Sequence, residues 1–217
     1  PWKTLKQILS IGIPSGGETF SYQLSQMTIM KMVNMFGLIV INTKVYVYIL
    51  ATFCYIYSVA LSSAAQIIVG YLIGANRSDE VGQKVWHTAM LSVIICSSMT
   101  TVFYLGSDYV LGVFTTNPEI LALGHTILLV EIFLELGRGV NIVMVASLQA
   151  AGDIRTPVLV GMVCMWSIAV GMSYFLGIVM QLGLVGIWIG MACDECIRGL
   201  IFIYRWRSGK WKNRQFI

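Results

Sequence analysis

Six apolar stretches separated by short polar turns make up almost all of this 217-residue chain. They run approximately over residues 8–36, 45–73, 85–105, 120–150, 157–182 and 184–204. A helix needs about 20 apolar residues to cross a bilayer, and each stretch reaches that length. Composition agrees, with 57% hydrophobic and only 11% charged residues, where a soluble domain carries about 25% charged. A membrane barrel would show alternating segments of about ten residues, and no such pattern is visible. The expected fold is therefore an all-α membrane protein, one six-helix bundle spanning residues 1–217 with a basic cytoplasmic tail at 205–217. The turns are too short for an inserted soluble domain, so consecutive helices are antiparallel neighbours.

Cytoplasmic loops collect Lys and Arg. Outside the six stretches one side carries Lys3, Lys6, Arg77, Lys84, Arg155, Arg205, Arg207, Lys210, Lys212 and Arg214, and the other only Lys44. That bias requires an even number of crossings with both ends cytoplasmic, as in a multi-pass protein of the cytoplasmic (inner or plasma) membrane. Trp2, Trp86, Trp206 and Trp211 lie at helix ends on the basic side, where indole rings favour the headgroup layer. The basic tail reads as an anchor to anionic lipid rather than a nucleic-acid site. No cleavable signal is visible, and a start at Pro1 rather than Met leads us to expect a longer protein.

The turns carry start and stop chemistry. Gly74, Ala75 and Asn76 end one helix, and Ser78, Asp79 and Glu80 offer a cap and first-turn acids for the next. Asn117, Pro118 and Glu119 do the same before the fourth stretch, and Gly152 and Asp153 before Pro157. Small residues four apart at Gly12/Gly16, Gly70/Gly74 and Gly186/Gly190 permit close helix packing. All five cysteines fall inside the stretches, and the Cys193/Cys196 pair reads as packing rather than redox chemistry.

Charges inside the apolar stretches are the strongest functional signal. Between Leu184 and Tyr204, Asp194, Glu195 and Arg198 share one helical face. Each central charge costs about 2.5 to 3.5 kcal/mol on an insertion scale, and the nine large aliphatic and Phe residues around them offset only about 3 to 5 kcal/mol in all. This helix cannot face lipid unaided. Glu131, Glu135 and Arg138 repeat the arrangement in the fourth stretch, again two acids to one base. Two compatible readings follow: a salt-bridge network joining the two helices, and a surplus carboxylate that takes up a cation during transport. In the first stretch Pro14 should kink the helix and free the Ser10 carbonyl. Glu18 follows near mid-bilayer, the kind of broken-helix site that coordinates H⁺ or Na⁺. Gln66, Asn141, Ser147 and Gln149 are further intramembrane polar groups, expected to bond across helices or line a cavity. His87 and His125 read as interfacial. No phosphate loop, nucleophile triad or zinc-ligand spacing is present, which argues against an enzyme.

The run from Gln66 to Asn76, the run from Ser147 to Pro157, Glu135-Leu136-Gly137-Arg138, and the closing stretch from Gly183 through Asp194, Glu195 and Arg198 to Trp211 resemble the second half of a MATE (multidrug and toxic compound extrusion) transporter. The likeness spans nearly the whole chain. It implies one lobe of a twelve-helix, alternating-access antiporter that expels amphipathic or cationic small molecules, coupled to H⁺ or Na⁺ and needing no other cofactor. The partners implied are those substrates, the bilayer and a missing N-terminal lobe, with the substrate cavity between the lobes. Some members place the key carboxylate in the first lobe. Others place it in the first helix of the second, about two turns past its proline, where this sequence has Tyr22 and Glu18 stands a turn earlier. The resulting candidates are Glu18, Glu135, Asp194 and Glu195 for cation coupling, with Na⁺ at Glu18 the metal candidate. Arg138 and Arg198 are the buried ion-pair partners, and Tyr22, Gln66, Asn141 and Gln149 the cavity lining. Alternatives are a lipid-linked oligosaccharide flippase of the same broad fold, which should show a more cationic cavity, and a six-helix membrane scaffold without transport.

Overall fold

The computed structural model describes residues 2–212, without the side chains of residues 3, 4, 7, 8, 10 and 11. Lys3 and Arg214 of the charge count, and residues 213–217 of the tail, lie outside the described groups. Seven helices follow one another: α1 Trp2–Asn34, α2 Leu38–Gly74, α3 Ser78–Leu105, the short α4 Ser107–Gly112, α5 Pro118–Ala150, α6 Arg155–Val179 and α7 Gly183–Arg207. Six of them are long enough to cross a bilayer. By length and apolar composition together, α2, α3, α5 and α6 qualify. The other two reach the length but carry polar residues, Ser15 to Gln26 in α1 and the charged triplet in α7, so both need shielding by the bundle.

α5 is the central helix, packed against α2, α3 and α7, while α1 rests mainly on α6. Two apolar clusters hold the bundle. One gathers Ile29, Val33, Val47, Leu134, Leu184 and Trp188, and the other Val69, Val85, Met144, Leu148, Phe202 and Trp206. Between them α5 and α7 touch at backbone level, because both helices carry glycine there. A Cβ on Gly137 would lie 2.5 Å from the Cys196 backbone nitrogen, and one on Gly199 would lie 3.2 Å from the Gly137 carbonyl. Gly186 and Gly190 seat α7 on α6 in the same way, with contacts of 2.6 Å to Leu176 and Ser173 backbone atoms. The expected close packing at Gly12/Gly16 and Gly70/Gly74 is absent: a Cβ at any of these meets nothing within 4 Å.

Several local readings change. α1 runs unbroken through Pro14, so the expected broken helix is a continuous one. α6 is not a plain α-helix but contains two π-helical stretches, Met165–Val170 and Phe175–Val179, which an apolar window cannot reveal. Asn117 caps α5 by accepting the Glu119 amide at 2.9 Å, as the sequence suggests. Ser78 instead lies inside α3, which has no side-chain cap. Asp153 is fully buried and accepts hydrogen bonds from Arg205 Nε at 2.7 Å and from Thr156 Oγ1, in the first turn of α6, at 2.8 Å. The first part of the expected tail is thereby tied to the bundle. Gly209, at φ +66°, turns the chain back so that Trp211 stacks on Trp206 with ring centroids 4.5 Å apart, and Arg207 lies over the Trp86 ring.

The α5–α7 contact makes a direct prediction. Gly137→Ala should destabilise the protein by about 1 to 3 kcal/mol, the usual cost of forcing extra volume into a packed seam. Gly82→Ala, where a Cβ meets nothing within 4 Å, should be neutral or mildly stabilising because alanine is the better helix former. Thermal unfolding in detergent compares the two.

Candidate functional site

The charged residues of α5 and α7 meet across the glycine seam. On α5, Arg138 Nη1 donates to Glu135 Oε1 at 2.5 Å and Glu131 Oε1 at 3.2 Å. On α7, Arg198 Nη2 donates to Asp194 Oδ2 at 2.6 Å and Glu195 Oε1 at 3.0 Å. These spacings follow from the helix repeat, which stacks residues three, four and seven apart on one face. Glu131 and Glu135 are 0% exposed, and removing one member of such a buried pair strands the other in low dielectric.

The expected salt-bridge network between helices is not what forms. Each ion pair lies within its own helix, and neutral donors make the crossing: Trp188 Nε1 of α7 donates to Glu131 Oε2 at 2.5 Å, and Asn141 Nδ2 of α5 donates to Glu195 Oε2 at 2.6 Å. Arg138 also lies 5.4 Å from the centroid of the Tyr55 ring on α2. Four carboxylates thus face two guanidiniums. Glu135 Oε2, Asp194 Oδ1, Asn141 Oδ1 and Arg198 Nε are buried with no protein partner, so the set has acceptor capacity to spare.

This cluster forms one wall of a cavity of about 310 Å³. α1 contributes Tyr22, Gln23, Gln26 and Met30, α2 contributes Lys44 and Tyr48, the first π stretch of α6 contributes Met165 and Ala169, and α7 contributes Trp188. π-helical insertions frequently occur at functional sites, and this one supplies Met165 and Ala169 to the lining. Glu131, Arg138, Asp194, Glu195 and Arg198 complete the charged wall.

The sequence candidates distribute as follows. Tyr22, Arg138, Asp194, Glu195 and Arg198 line the cavity. Glu135 sits behind the wall, fully buried. Glu18 lies outside the lining, its Oε1 lodged in the space left by Gly161 of α6, where a Cβ would come within 2.9 Å. Gln66, Asn141 and Gln149 are not among the residues lining this cavity. Gln66 is exposed on the opposite reach of α2, Asn141 is buried in the α5–α7 seam against Glu195, and Gln149 lies near the far end of α5. Among the described residues no group of three or more His, Cys, Asp or Glu is placed to hold a metal ion, Glu18 included.

Sequence reasoning misses Lys44 and the role of Trp188. By apolar windows Lys44 falls in an outer loop, yet α2 begins six residues earlier at Leu38 and carries it into the cavity. The apolar run Leu38 to Ile41 just before it is the available signal. His125 bonds Ser107 at 2.7 Å and stacks on Tyr104, which fastens α4 to α5 and places it away from the cavity.

The MatE family profile matches residues 14–175. The chain belongs to the MATE family. A Bacillus subtilis (strain 168) protein described as uncharacterized transporter YisQ is 35% identical over 95% of this chain and 46% of its own length. The probable multidrug resistance protein YoeA of the same organism is 24% identical over 96% of this chain and 45% of its own length. In fold, a crystal structure of a MATE in the straight conformation superposes with a TM-score of 0.85 at 16% identity, covering 98% of this chain and 48% of that one. The chain spans about half the length of the curated relatives it matches, and its bundle is a MATE half-lobe, a multi-pass membrane architecture. MATE proteins are transporters, not enzymes.

The arrangement predicts an order of damage. Arg198→Ala strands Asp194 and Glu195 together and should cost about 3 to 5 kcal/mol. Asp194→Asn leaves Arg198 paired with Glu195 and should cost only about 1 kcal/mol. Thermal unfolding of the two variants in one detergent measures the difference, and the reverse order would refute the pairing described.

Proposed function

We propose that this chain is the second six-helix lobe of a cation-coupled efflux antiporter, driven by H⁺ or Na⁺, that exports amphipathic or cationic small molecules across the cytoplasmic membrane. Both ends of the segment face the cytoplasm in this reading, and the other lobe closes the cavity. The observation that carries it is the acid excess at the cavity wall. Four carboxylates share two guanidiniums at mid-helix depth, and Glu135 and Asp194 each keep a buried oxygen with no partner. Buried ionisable groups in a membrane bundle are costly and mark ion pathways. A coupling cation arriving there would relieve the excess and reset the pairs, and a reset of Arg138 or Arg198 changes the cavity wall that substrate meets. Glu18 of α1, its Oε1 against Gly161 of α6, is the coupling candidate outside the cluster. Relatives in Bacillus subtilis and Thermotoga maritima are described as probable multidrug resistance proteins, which supports the substrate class.

Proteoliposomes containing the whole transporter test the reading. An imposed H⁺ or Na⁺ gradient should drive uptake of an organic cation into inside-out vesicles. Glu135→Gln, Asp194→Asn and Glu18→Gln should each reduce gradient-driven uptake by about tenfold, the scale of a typical coupling free energy, while substrate still binds. Unchanged gradient-driven uptake in all three variants would overturn the assignment of coupling to this lobe.

A further inference from the structure

Three cations line the cavity, and two of them are already answered. Arg138 and Arg198 hold their carboxylates at 2.5 to 3.2 Å. Lys44 differs: its Nζ donates to Met30 Sδ at 3.2 Å, a thioether that is only a weak acceptor. Among the described residues no carboxylate pairs with it. Yet Lys44 is half-buried and six residues inside α2, about 9 Å from the helix start at 1.5 Å per residue. An ammonium held in a low-dielectric cleft without a counter-charge is unfavourable, so this position favours any ligand that supplies one.

The charge pattern of the wall therefore works against a simple cation selector. An organic cation entering this lobe meets carboxylates that each already accept from an arginine, and the oxygens left over on Glu135 and Asp194 are buried. An acid group meets an ammonium with donors to spare. Besides Met30, which Lys44 touches, the cavity lining includes Tyr48, Ile49 and Met191, apolar and partly flexible surface suited to a hydrophobic body. Its volume of about 310 Å³ lies at the small end of ligand pockets, which run from about 300 to 1,000 Å³.

From this we infer that Lys44 is an anion subsite, and that the lobe binds amphipathic small molecules carrying a carboxylate or similar acid group, zwitterions included. The inference rests on the reading of the chain as a transporter lobe and narrows its substrate class. On α2 the lining runs from Lys44 to Ala51, about 10 Å of helix, and among the described residues no carboxylate lies within ion-pair distance of the ammonium.

The test uses the whole transporter in lipid nanodiscs and three matched probes: 2-naphthoate, methyl 2-naphthoate and a naphthylmethyl-trimethylammonium salt. Wild type should bind 2-naphthoate about tenfold more tightly than the ester, as expected for a charge-assisted bond. Lys44→Gln should erase that preference and leave the ester and the ammonium salt within about twofold of wild type, while Lys44→Arg should keep most of it. An intact preference in Lys44→Gln overturns the subsite. So does a fall in the thermal stability of the ligand-free transporter on Lys44→Gln that Lys44→Arg restores, because the ammonium would then serve an ion pair within the protein. A wild type that binds all three probes without preferring the acid refutes the subsite alone. Failure of wild type to bind any of the three refutes the transporter reading with it.

Discussion

Charge held in a low-dielectric interior has to be answered locally, and that constraint organises this lobe. α5 and α7 each carry two acids and one arginine on a single face near mid-helix, and each arginine bridges the acids of its own helix. With each acid paired to an arginine of its own helix, the two helices can approach although each keeps one surplus carboxylate. Glycine at 137 and 199 removes the side chains that would hold them apart. The neutral donors Trp188 and Asn141 then bond across the seam without adding further charge to it. Close approach and charge placement are one design, since a wider seam would leave the carboxylates of Glu131 and Glu195 without these donors.

The cavity follows from what surrounds that seam. α1 packs chiefly on α6, which leaves a cleft bounded by α1, α2 and the charged face of α5 and α7. Met165 and Ala169 of the π-helical stretch Met165–Val170 line this cleft. Lys44 and the arginine-bound acids both line it, together with apolar side chains such as Met30, Ile49 and Met191. Such a surface can orient an amphipathic molecule. At the opposite end of the bundle, the Asp153–Arg205 pair fixes α7 to the α5–α6 turn, and the Trp206–Trp211 stack folds the following turn back on α7.

Much of this is legible in the residues. Length and apolarity together locate α2, α3, α5 and α6, because crossing a bilayer demands both. The i, i+3 and i, i+4 spacings alone put Glu131, Glu135 and Arg138, and likewise Asp194, Glu195 and Arg198, on single faces. What those spacings cannot decide is whether an arginine reaches across to the neighbouring helix or back along its own, since both geometries satisfy the same repeat. Nor do they give the azimuth of each helix, which is why the spacing alone does not separate Tyr22, which lines this cavity, from Gln66 and Gln149, which do not line it. Lys44 is misplaced for a related reason: a lysine interrupts an apolar window even when the helix around it is continuous. The glycine at 137 carries no signal of its own, because close approach depends on what the partner helix presents, and here that partner is the Cys196 backbone.

The most direct measurement is a double-mutant cycle on Glu135 and Arg138, read by thermal unfolding of wild type, Glu135→Gln, Arg138→Gln and the double variant in one detergent. If these charges are held at the centre of the bundle by each other, the two losses are strongly non-additive, with a coupling energy of about 1 to 3 kcal/mol and a double variant less damaged than the sum of the singles. Losses that add to within about 0.5 kcal/mol would contradict the account, because each group would then be stabilised by something other than its partner.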